Sequence, residues 1–159
     1  MAAADPLTQQ IEVLYRARIG GFYRVASAIV RDRDLAWDAV QEGFADAVRG
    51  RAGFRGEAPL EAWVWRLVVN AALRSQRRPP PVPLPDGFEC VVSQNGNGPD
   101  VRNAVAALPE RQRLAVFLRY YADLDYRAIA DVLGVEVGTV SATLHAALSA
   151  LRETMEVQR

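Results

Sequence analysis

The chain contains no lysine, one cysteine and one histidine. Cys90 has no second cysteine with which to form a disulfide bond, and with His145 as the only imidazole the chain lacks the ligands of a typical protein zinc site. We therefore expect no disulfide framework, no bound metal and no cofactor. All 19 basic residues are arginine, which keeps bidentate phosphate recognition available but is explained more simply by codon usage.

Long apolar runs are also missing from the sequence. No segment approaches the roughly 18 unbroken apolar residues of a membrane span, and residues 1–6 lack the basic-then-apolar order of a secretion signal. We expect a cytoplasmic protein with no membrane insertion. Of the 159 residues, 50% are hydrophobic, so the chain is long and apolar enough to bury a core.

The chain has no net charge, because 19 basic residues balance 19 acidic ones. This balance argues against a protein that binds nucleic acid tightly through its overall field alone. The distribution is uneven, however. Residues 1–78 hold 12 arginines and 9 acids (+3), residues 79–100 hold three acids and no base (−3), and residues 101–159 hold seven of each.

Most of the proline lies in one segment. Residues 79–99 contain six of the nine prolines, together with a stretch rich in glycine and asparagine over 93–98. Because neither composition favours a helix, we predict a linker at 79–99 between a domain at 7–78 and a domain at 100–156. The apolar spacing on both sides is helical, so the predicted fold is all-α: a small helical bundle followed by a small helix-turn-helix domain.

The first domain shows three helical stretches. Apolar residues recur at helical spacing over 11–30, but Gly20 and Gly21 interrupt them, which predicts two helices or one kinked helix. Asp34 fits the N-cap of a further helix that ends near Val48. Its predicted inward residues are Leu35, Ala39, Val40, Phe44 and Ala47.

The opposite face of this further helix is acidic. Asp38, Gln41, Glu42 and Asp46 recur at intervals of three, one and four residues, which places them on one side of the helix. A charged helical face is most often a solvated face without a partner. The spacing alone leaves both a binding surface and a solvated surface open.

A loop rich in glycine and arginine follows at 50–59, and a strong helix is predicted over residues 60–78. Trp63 and Trp65 lie two residues apart in it and cannot share a helical face, so we expect at least one to be partly exposed.

The second domain is predicted to contain a short helix at 101–108, a helix that opens with Pro109 at its first position, and then a helix-turn-helix. Apolar stripes occur on both sides of Gly134, which permits a sharp exit from the first helix of the pair. An ordinary helical hairpin has the same spacing. Small residues at the crossing, Ala130 and Gly134, favour the helix-turn-helix because they allow a close approach of the two backbones.

These residues resemble the extracytoplasmic-function (ECF) sigma factors, the minimal two-domain initiation subunits of bacterial RNA polymerase, over nearly the whole chain from Ile11 to Glu153. In the first half the resemblance rests on DAVQEGF at 38–44, FRGEA at 54–58, Trp63, Arg66 and Asn70. In the second half it rests on LPERQR at 108–113, YRAIA at 126–130, GVEVGTV at 134–140, Leu144-His145 and ALR at 150–152. Two motif sets in the right order, on either side of a proline-rich linker, make the resemblance specific.

The resemblance implies roles for two surfaces of the first domain. The acidic face is expected to dock on the basic coiled-coil clamp helices of the polymerase β′ subunit, through Asp38, Gln41, Glu42 and Asp46. The loop at 54–59 and the helix after it are expected to capture a flipped base of the −10 promoter element. The implied −10 residues are Phe54, Arg55, Gly56, Glu57, Trp63, Arg66, Asn70, Arg74 and Arg77. For Trp63, plain core packing is the competing interpretation.

The second domain is expected to recognise the −35 element as duplex DNA and to dock its apolar base on the β flap tip. The implied −35 residues are Arg111, Arg127, Thr139, Val140, Ser141, Thr143 and His145. Thr139 and Val140 would contribute a helix-dipole contact, and Arg113 and Arg119 would add outlying charge.

The second helix of the pair departs from the family pattern. Its relatives usually carry several Lys or Arg residues after the Thr-Val pair, whereas here Arg152 is the only arginine before the terminal Arg159. Each neutralised phosphate adds nearly one unit to the salt-dependence slope, and a bidentate arginine–guanine pair is worth about 1–3 kcal/mol. We therefore expect a much weakened contact with the −35 duplex.

The leading hypothesis is a promoter-specificity subunit that binds core polymerase and promoter DNA, performs no bond chemistry itself, and has an anti-sigma factor as a further partner. The alternative is a sigma-like decoy that binds polymerase or an anti-sigma factor but recognises promoters weakly or not at all. A two-domain helical enzyme lacks support, because no carboxylate pair, metal set or nucleophile with a base is arranged plausibly in the sequence.

Overall fold

The computed structural model describes residues 5–77 and 99–157, and over these ranges its regular structure is entirely helical, which confirms the predicted all-α class. The elements are α1 (Pro6–Val30), α2 (Arg33–Gly50), a 3₁₀ turn (Arg51–Gly53), α3 (Leu60–Arg77), α4 (Pro99–Ala107), α5 (Glu110–Tyr120), α6 (Tyr126–Leu133) and α7 (Val137–Val157). The predicted linker lies outside the described residues except for Pro99, which begins α4.

The N-terminal module, residues 5–77, is a bundle in which α1, α2 and α3 pack against one another. Phe22 of α1 stacks on Trp65 of α3 with ring centroids 3.9 Å apart and meets Phe44 of α2 edge-on at 4.9 Å. Phe22 and Trp65 are fully buried. Aromatic pairs of this kind add about 0.5–1.5 kcal/mol beyond the area they bury, so this cluster is the centre of the module.

The two-helix alternative for residues 11–30 is wrong, because α1 is one helix of 25 residues that runs through Gly20 and Gly21. A Cβ atom at Gly21 would lie 3.9 Å both from the Trp65 side chain and from the Tyr121 carbonyl oxygen, so the helix is packed on this side. Tertiary packing of this kind outweighs the roughly 1 kcal/mol by which a glycine disfavours a helix.

The start of α2 also differs from the prediction. Its N-cap is Asp32, whose carboxylate accepts a hydrogen bond from the Leu35 N–H at 2.8 Å, and Asp34 lies in the first turn. Leu35 is 41% exposed, and Ala36 is buried instead. The other predicted inward residues, Ala39, Val40, Phe44 and Ala47, are buried.

Gly43 sets the distance between α2 and α3. A Cβ atom at this position would lie 2.7 Å from Cα and 2.8 Å from the backbone nitrogen of Val68, which real Cβ atoms do not tolerate. The two helix backbones therefore touch here, and only glycine fits.

The C-terminal module, residues 99–157, packs α4, α5 and α6 around α7. Pro109 is the N-cap of α5 rather than its first helical residue. Asp125 caps α6 by accepting a hydrogen bond from the Ala128 N–H at 2.8 Å. The chain then turns through 98° into α7, so the helix-turn-helix is confirmed.

Gly134 ends α6 in the left-handed conformation, with φ +65°, and the Val135 N–H donates to the Ala130 carbonyl at 3.0 Å. A Cβ atom at Gly134 would meet nothing within 4 Å. The prediction that Gly134 allows a close helix crossing is therefore wrong, and its role is the positive φ.

The two modules are in contact. α3 packs on α6, α1 packs on α5, and one continuous apolar cluster runs through both modules. Gln41 and its neighbours on the acidic face stay outside this cluster. In the described ranges no single helix is long and apolar enough to cross a membrane, and the α6–α7 pair passes that test only when joined across its bend.

Candidate nucleic-acid interface

A cavity of about 230 Å³ opens where the 3₁₀ turn leads into α3. It brings together six of the predicted −10 residues: Phe54, Arg55, Gly56, Glu57, Trp63 and Arg66. Sequence spacing alone did not place the loop against this face of the helix.

The cavity wall is built by local backbone bonds and one aromatic contact. The Phe54 N–H donates to the Arg51 carbonyl at 3.1 Å, which ends the 3₁₀ turn, and Gly56 adopts φ +71°, a conformation that favours glycine. The rings of Phe54 and Trp63 lie 5.0 Å apart. Trp63 is half-buried, whereas Trp65 is fully buried, so the prediction that at least one tryptophan is partly exposed is confirmed.

The cavity has charged groups at its rim. Arg55 and Arg66 are exposed, and neither guanidinium has a carboxylate within 4 Å among residues 5–77 and 99–157. Glu57 lies on the same loop. A nucleobase can stack on this aromatic wall, and a nucleic-acid phosphate can pair with the arginine cations beside it.

The cavity continues along α3 as a polar stripe. Arg66, Asn70, Arg74 and Arg77 follow one another at helical spacing, and all four are exposed. From Trp63 to Arg77 the stripe is about 21 Å long at 1.5 Å per residue.

The acidic face of α2 is exposed as predicted at Asp38, Gln41 and Glu42, and partly exposed at Asp46. The structure adds a contact that the spacing did not predict. Arg74 pairs with Glu42 at 2.9 Å and approaches Asp46 at 3.6 Å, and Asp46 also pairs with Arg49. The candidate polymerase face and the candidate −10 stripe therefore meet at Arg74.

The predicted −35 residues fall into two groups. Arg111, Arg127, Thr139, Ser141 and His145 are exposed, and Thr143 is partly exposed with its hydroxyl donating to the Thr139 carbonyl at 2.7 Å. Val140 is fully buried, and its N–H donates to the Glu136 carbonyl. The prediction of a DNA contact at Val140 is therefore wrong.

Two outlying arginines have structural partners. Arg113 donates to the carbonyls of Ala106 and Leu108. Arg119 donates to the Leu124 carbonyl at 3.0 Å and lies over the Tyr126 ring. Burial, together with the nearby Arg31 cation, lowers the pKa of Arg113 from its ordinary value.

Asp131 is the residue that sequence reasoning missed. It lies on α6 of the C-terminal module, yet it lines the cavity beside the −10 candidates. A contact between residues so far apart in the chain leaves no local signal.

Comparison with known proteins supports the motif-based resemblance. The sequence model of Sigma-70 region 2 matches residues 14–79, and that of Sigma-70 region 4 matches residues 100–151. The ECF RNA polymerase sigma factor SigM of Mycobacterium tuberculosis is 35% identical over 135 residues, which cover 80% of this chain and 67% of SigM. The chain belongs to the ECF sigma factors.

Other relatives agree with this assignment. The RNA polymerase sigma factor SigV of Bacillus subtilis is 27% identical over 136 residues, which cover 82% of each chain. The fold of this sigma factor is similar to that of RpoE of Bartonella quintana, solved in complex with the anti-sigma factor NepR. Their TM-score is 0.71 at 19% identity, over 95% of this chain and 99% of RpoE.

As an ECF sigma factor, the chain directs RNA polymerase to promoters and initiates transcription. The N-terminal module corresponds to region 2 and the C-terminal module to region 4. The part of the chain that the structure describes contains no group of three or more His, Cys, Asp or Glu side chains arranged to hold a metal ion.

Proposed function

We propose that the N-terminal module holds core polymerase with the acidic face of α2 and captures the −10 element with the cavity and stripe of α3. The observation that carries this proposal is the cavity itself, in which Phe54 and Trp63 form an aromatic wall beside Arg55 and Arg66, whose guanidinium groups have no carboxylate within 4 Å in the described part of the chain. In this proposal the chain acts in the cytoplasm and performs no bond chemistry, which belongs to the core enzyme. The domain limits 7–78 and 100–156 stay predictions.

The acidic face is proposed to bind the basic β′ clamp helices, and the apolar base of the C-terminal module to bind the β flap. Charge complementarity supports the first contact, because three of the four polar residues on that face are carboxylates. The double variant Asp38→Arg with Glu42→Arg is expected to abolish binding to core polymerase in a pull-down. The matched control is Glu153→Arg with Glu156→Arg, an equal charge change on exposed residues of α7. Equal binding by both variants would contradict the assignment.

The C-terminal module is proposed to contact the −35 duplex through the exposed residues Arg111, Arg127, Thr139, Ser141 and His145, with Thr143 at the edge of this surface. The N–H groups at the start of α7 support a phosphate contact there. An anti-sigma factor is proposed as a further partner, because the similar fold of RpoE was solved in complex with one.

A decoy function is the second candidate, and one observation favours it. Between Val137 and Leu151, α7 carries no basic side chain except the single imidazole of His145. A helical segment without lysine or arginine neutralises few phosphates and makes no bidentate pair with guanine.

Run-off transcription with purified core polymerase and a genomic promoter library separates the two candidates. An initiator yields discrete transcripts that depend on this sigma factor, and Arg66→Gln lowers their yield whereas Arg24→Gln, at an exposed position of α1, does not. A decoy binds core polymerase in the same sample but yields no transcript.

A further inference from the structure

The acidic face of α2 has counter-ions from its own chain. Oε1 of Glu42 accepts a hydrogen bond from Nη2 of Arg74, on α3, at 2.9 Å. Asp46 has an arginine at each oxygen: Oδ1 accepts a hydrogen bond from Arg49, and Oδ2 lies 3.6 Å from Nη2 of Arg74. Asp38, by contrast, has no arginine within 4 Å in the described part of the chain.

Arg74 reaches these carboxylates because α2 and α3 are in direct contact. A Cβ atom at Gly43 would lie 2.7 Å from Cα of Val68, so the two backbones touch one residue after Glu42. The side chains of Arg74, Glu42 and Asp46 are 55%, 48% and 31% exposed. Ion pairs with this exposure contribute little to stability, because water screens them. Their larger effect is on the charge that α2 presents to a partner.

The acidic face therefore presents less negative charge than its carboxylates suggest. Asp38, Glu42 and Asp46 bring three negative charges, and Arg49 and Arg74 bring two positive ones, which leaves a net charge of −1. The attraction of a basic partner at a distance depends on this net charge, and direct pairing depends on carboxylate oxygens that are free. The two arginines reduce both.

We propose that Arg74 and Arg49 are intramolecular competitors for the acidic face. They hold the carboxylate oxygens with which cations of the basic β′ clamp helices would pair, and they lower the affinity of this chain for core polymerase. The inference rests on the proposed docking of core polymerase on this face. It is separate from the proposed −10 contact of Arg74, because docking is measured without DNA. The share of core polymerase that this sigma factor captures is then set in part by two of its own arginines.

The first test measures association of the full chain with immobilised core polymerase in the absence of DNA. Arg74→Gln is expected to raise the association rate constant about two- to fivefold, with a smaller change in the dissociation rate constant. Arg24→Gln is the matched control, because it removes the same charge from an exposed position of α1 that has no carboxylate within 4 Å in the described ranges. It is expected to associate like the parent.

Salt and a conservative variant distinguish this role from a purely structural one. The gain in Arg74→Gln is expected at about 0.1 M salt, where the Debye length is about 10 Å, and is expected to disappear at about 1 M, where it is about 3 Å. Arg74→Lys keeps the cation and is expected to associate like the parent. A purely structural role of Arg74 would change the melting temperature, measured by circular dichroism, but not the salt dependence of association.

Arg49→Gln tests the other counter-ion without disturbing the contact between α2 and α3. Arg49 is exposed and pairs with Asp46 within the same helix, three residues away. Its removal frees Oδ1 of Asp46 and is expected to raise the association rate constant in the same direction as Arg74→Gln. This variant keeps the inference testable if Arg74→Gln folds poorly.

The outcomes separate the inference from the docking assignment on which it rests. Unchanged or slower association in both Arg74→Gln and Arg49→Gln overturns the inference, while loss of binding in the double variant Asp38→Arg with Glu42→Arg leaves the docking assignment intact. An equal gain in Arg24→Gln also overturns it, because overall charge and not the local pairs would then be responsible. If the double variant binds core polymerase like the parent, the docking assignment itself fails and the inference fails with it.

Discussion

Gly43 and Gly20 both lie inside helices of the N-terminal module, yet their surroundings are opposite. At Gly43 a methyl group would overlap the backbone of Val68, whereas at Gly20 it would meet nothing within 4 Å. Sequence alone does not distinguish the two, because both occur within apolar helical patterns.

Gly43→Ala is therefore expected to lower the free energy of unfolding by about 1–3 kcal/mol, because α2 and α3 must move apart. Gly20→Ala is the matched control and is expected to raise it by about 0.5–1 kcal/mol, since alanine loses less backbone entropy in a helix. Urea unfolding followed by circular dichroism measures both values. A destabilisation of similar size at the two positions would contradict the close approach at Gly43.

Arg31 ends α1 in the left-handed conformation, with φ +55°, and its cation lies near that of Arg113. A non-glycine residue in this conformation is strained by about 1 kcal/mol or more. Arg31→Gly is expected to raise the melting temperature, and Arg31→Ala, which removes the charge but keeps the strain, to raise it less. Differential scanning calorimetry decides this, and a lower melting temperature for Arg31→Gly would show that the conformation carries no strain.

Interactions between residues close together in the chain were predictable from the sequence. The cap at the start of α2 was placed only two residues from its true position, because an aspartate carboxylate and a nearby N–H are enough to form it. The exposure of Leu35 was not predictable, because Leu35 and the buried Ala36 are adjacent apolar residues in the first turn and helical spacing allows either of them to face inward.

At the scale of the element, α7 is a helix whose composition departs from the family pattern, because it carries few basic residues. Its exposed surface near the turn consists of small and hydroxyl side chains such as Ser141, and the neighbouring Val140 belongs to the core. Contact with a duplex then depends on backbone N–H groups and hydroxyls, which neutralise little phosphate charge.

Ser141→Arg is expected to tighten binding of the full chain to a −35 duplex and to steepen the slope of log K against log salt by about 0.9, the value for one added phosphate contact. The parent slope is expected to be shallow, below that of about six phosphates. Ser141→Gln is the control, a long side chain without charge. If the arginine leaves the slope unchanged, the exposed face of α7 does not reach the DNA.

The presence of the helices was well predicted, because apolar residues at intervals of three and four indicate a helix without any knowledge of what packs against it. The helix-turn-helix followed from Gly134 and the apolar stripes on each side. The continuity of α1 through two glycines did not follow from the sequence, because it is caused by packing against residues of other helices.

At the scale of the whole molecule, the two modules share a core although a proline-rich segment separates them in the sequence. The hydrogen bond from Arg18 to Ala122 joins residues 104 positions apart. Neither composition nor periodicity indicates a contact between residues so far apart in the chain. The sequence therefore predicted the two modules but not how they pack against each other. Six residues that line the cavity on the N-terminal side were named from the family resemblance, whereas Asp131 of the C-terminal module was missed because its contact is long-range.

The shared core predicts one cooperative unfolding transition for the parent chain, with equal calorimetric and van't Hoff enthalpies. Arg18→Ala weakens the contact between the modules and is expected to separate the transition into two, whereas Arg16→Ala is expected to leave one. Scanning calorimetry measures the enthalpies. Two resolved transitions in the parent would show that the modules unfold independently.

All three tryptophans lie in the N-terminal module: Trp65 under Phe22, Trp63 against Phe54, and Trp37 stacked on Tyr23 at 4.6 Å. The fluorescence of the C-terminal module therefore comes from its tyrosines. Selective excitation of tryptophan reports on the N-terminal module alone. Because the indole of Trp63 lines the cavity together with Asp131 of the C-terminal module, its emission wavelength and its quenching by iodide report, without a dye, whether the two modules are in contact.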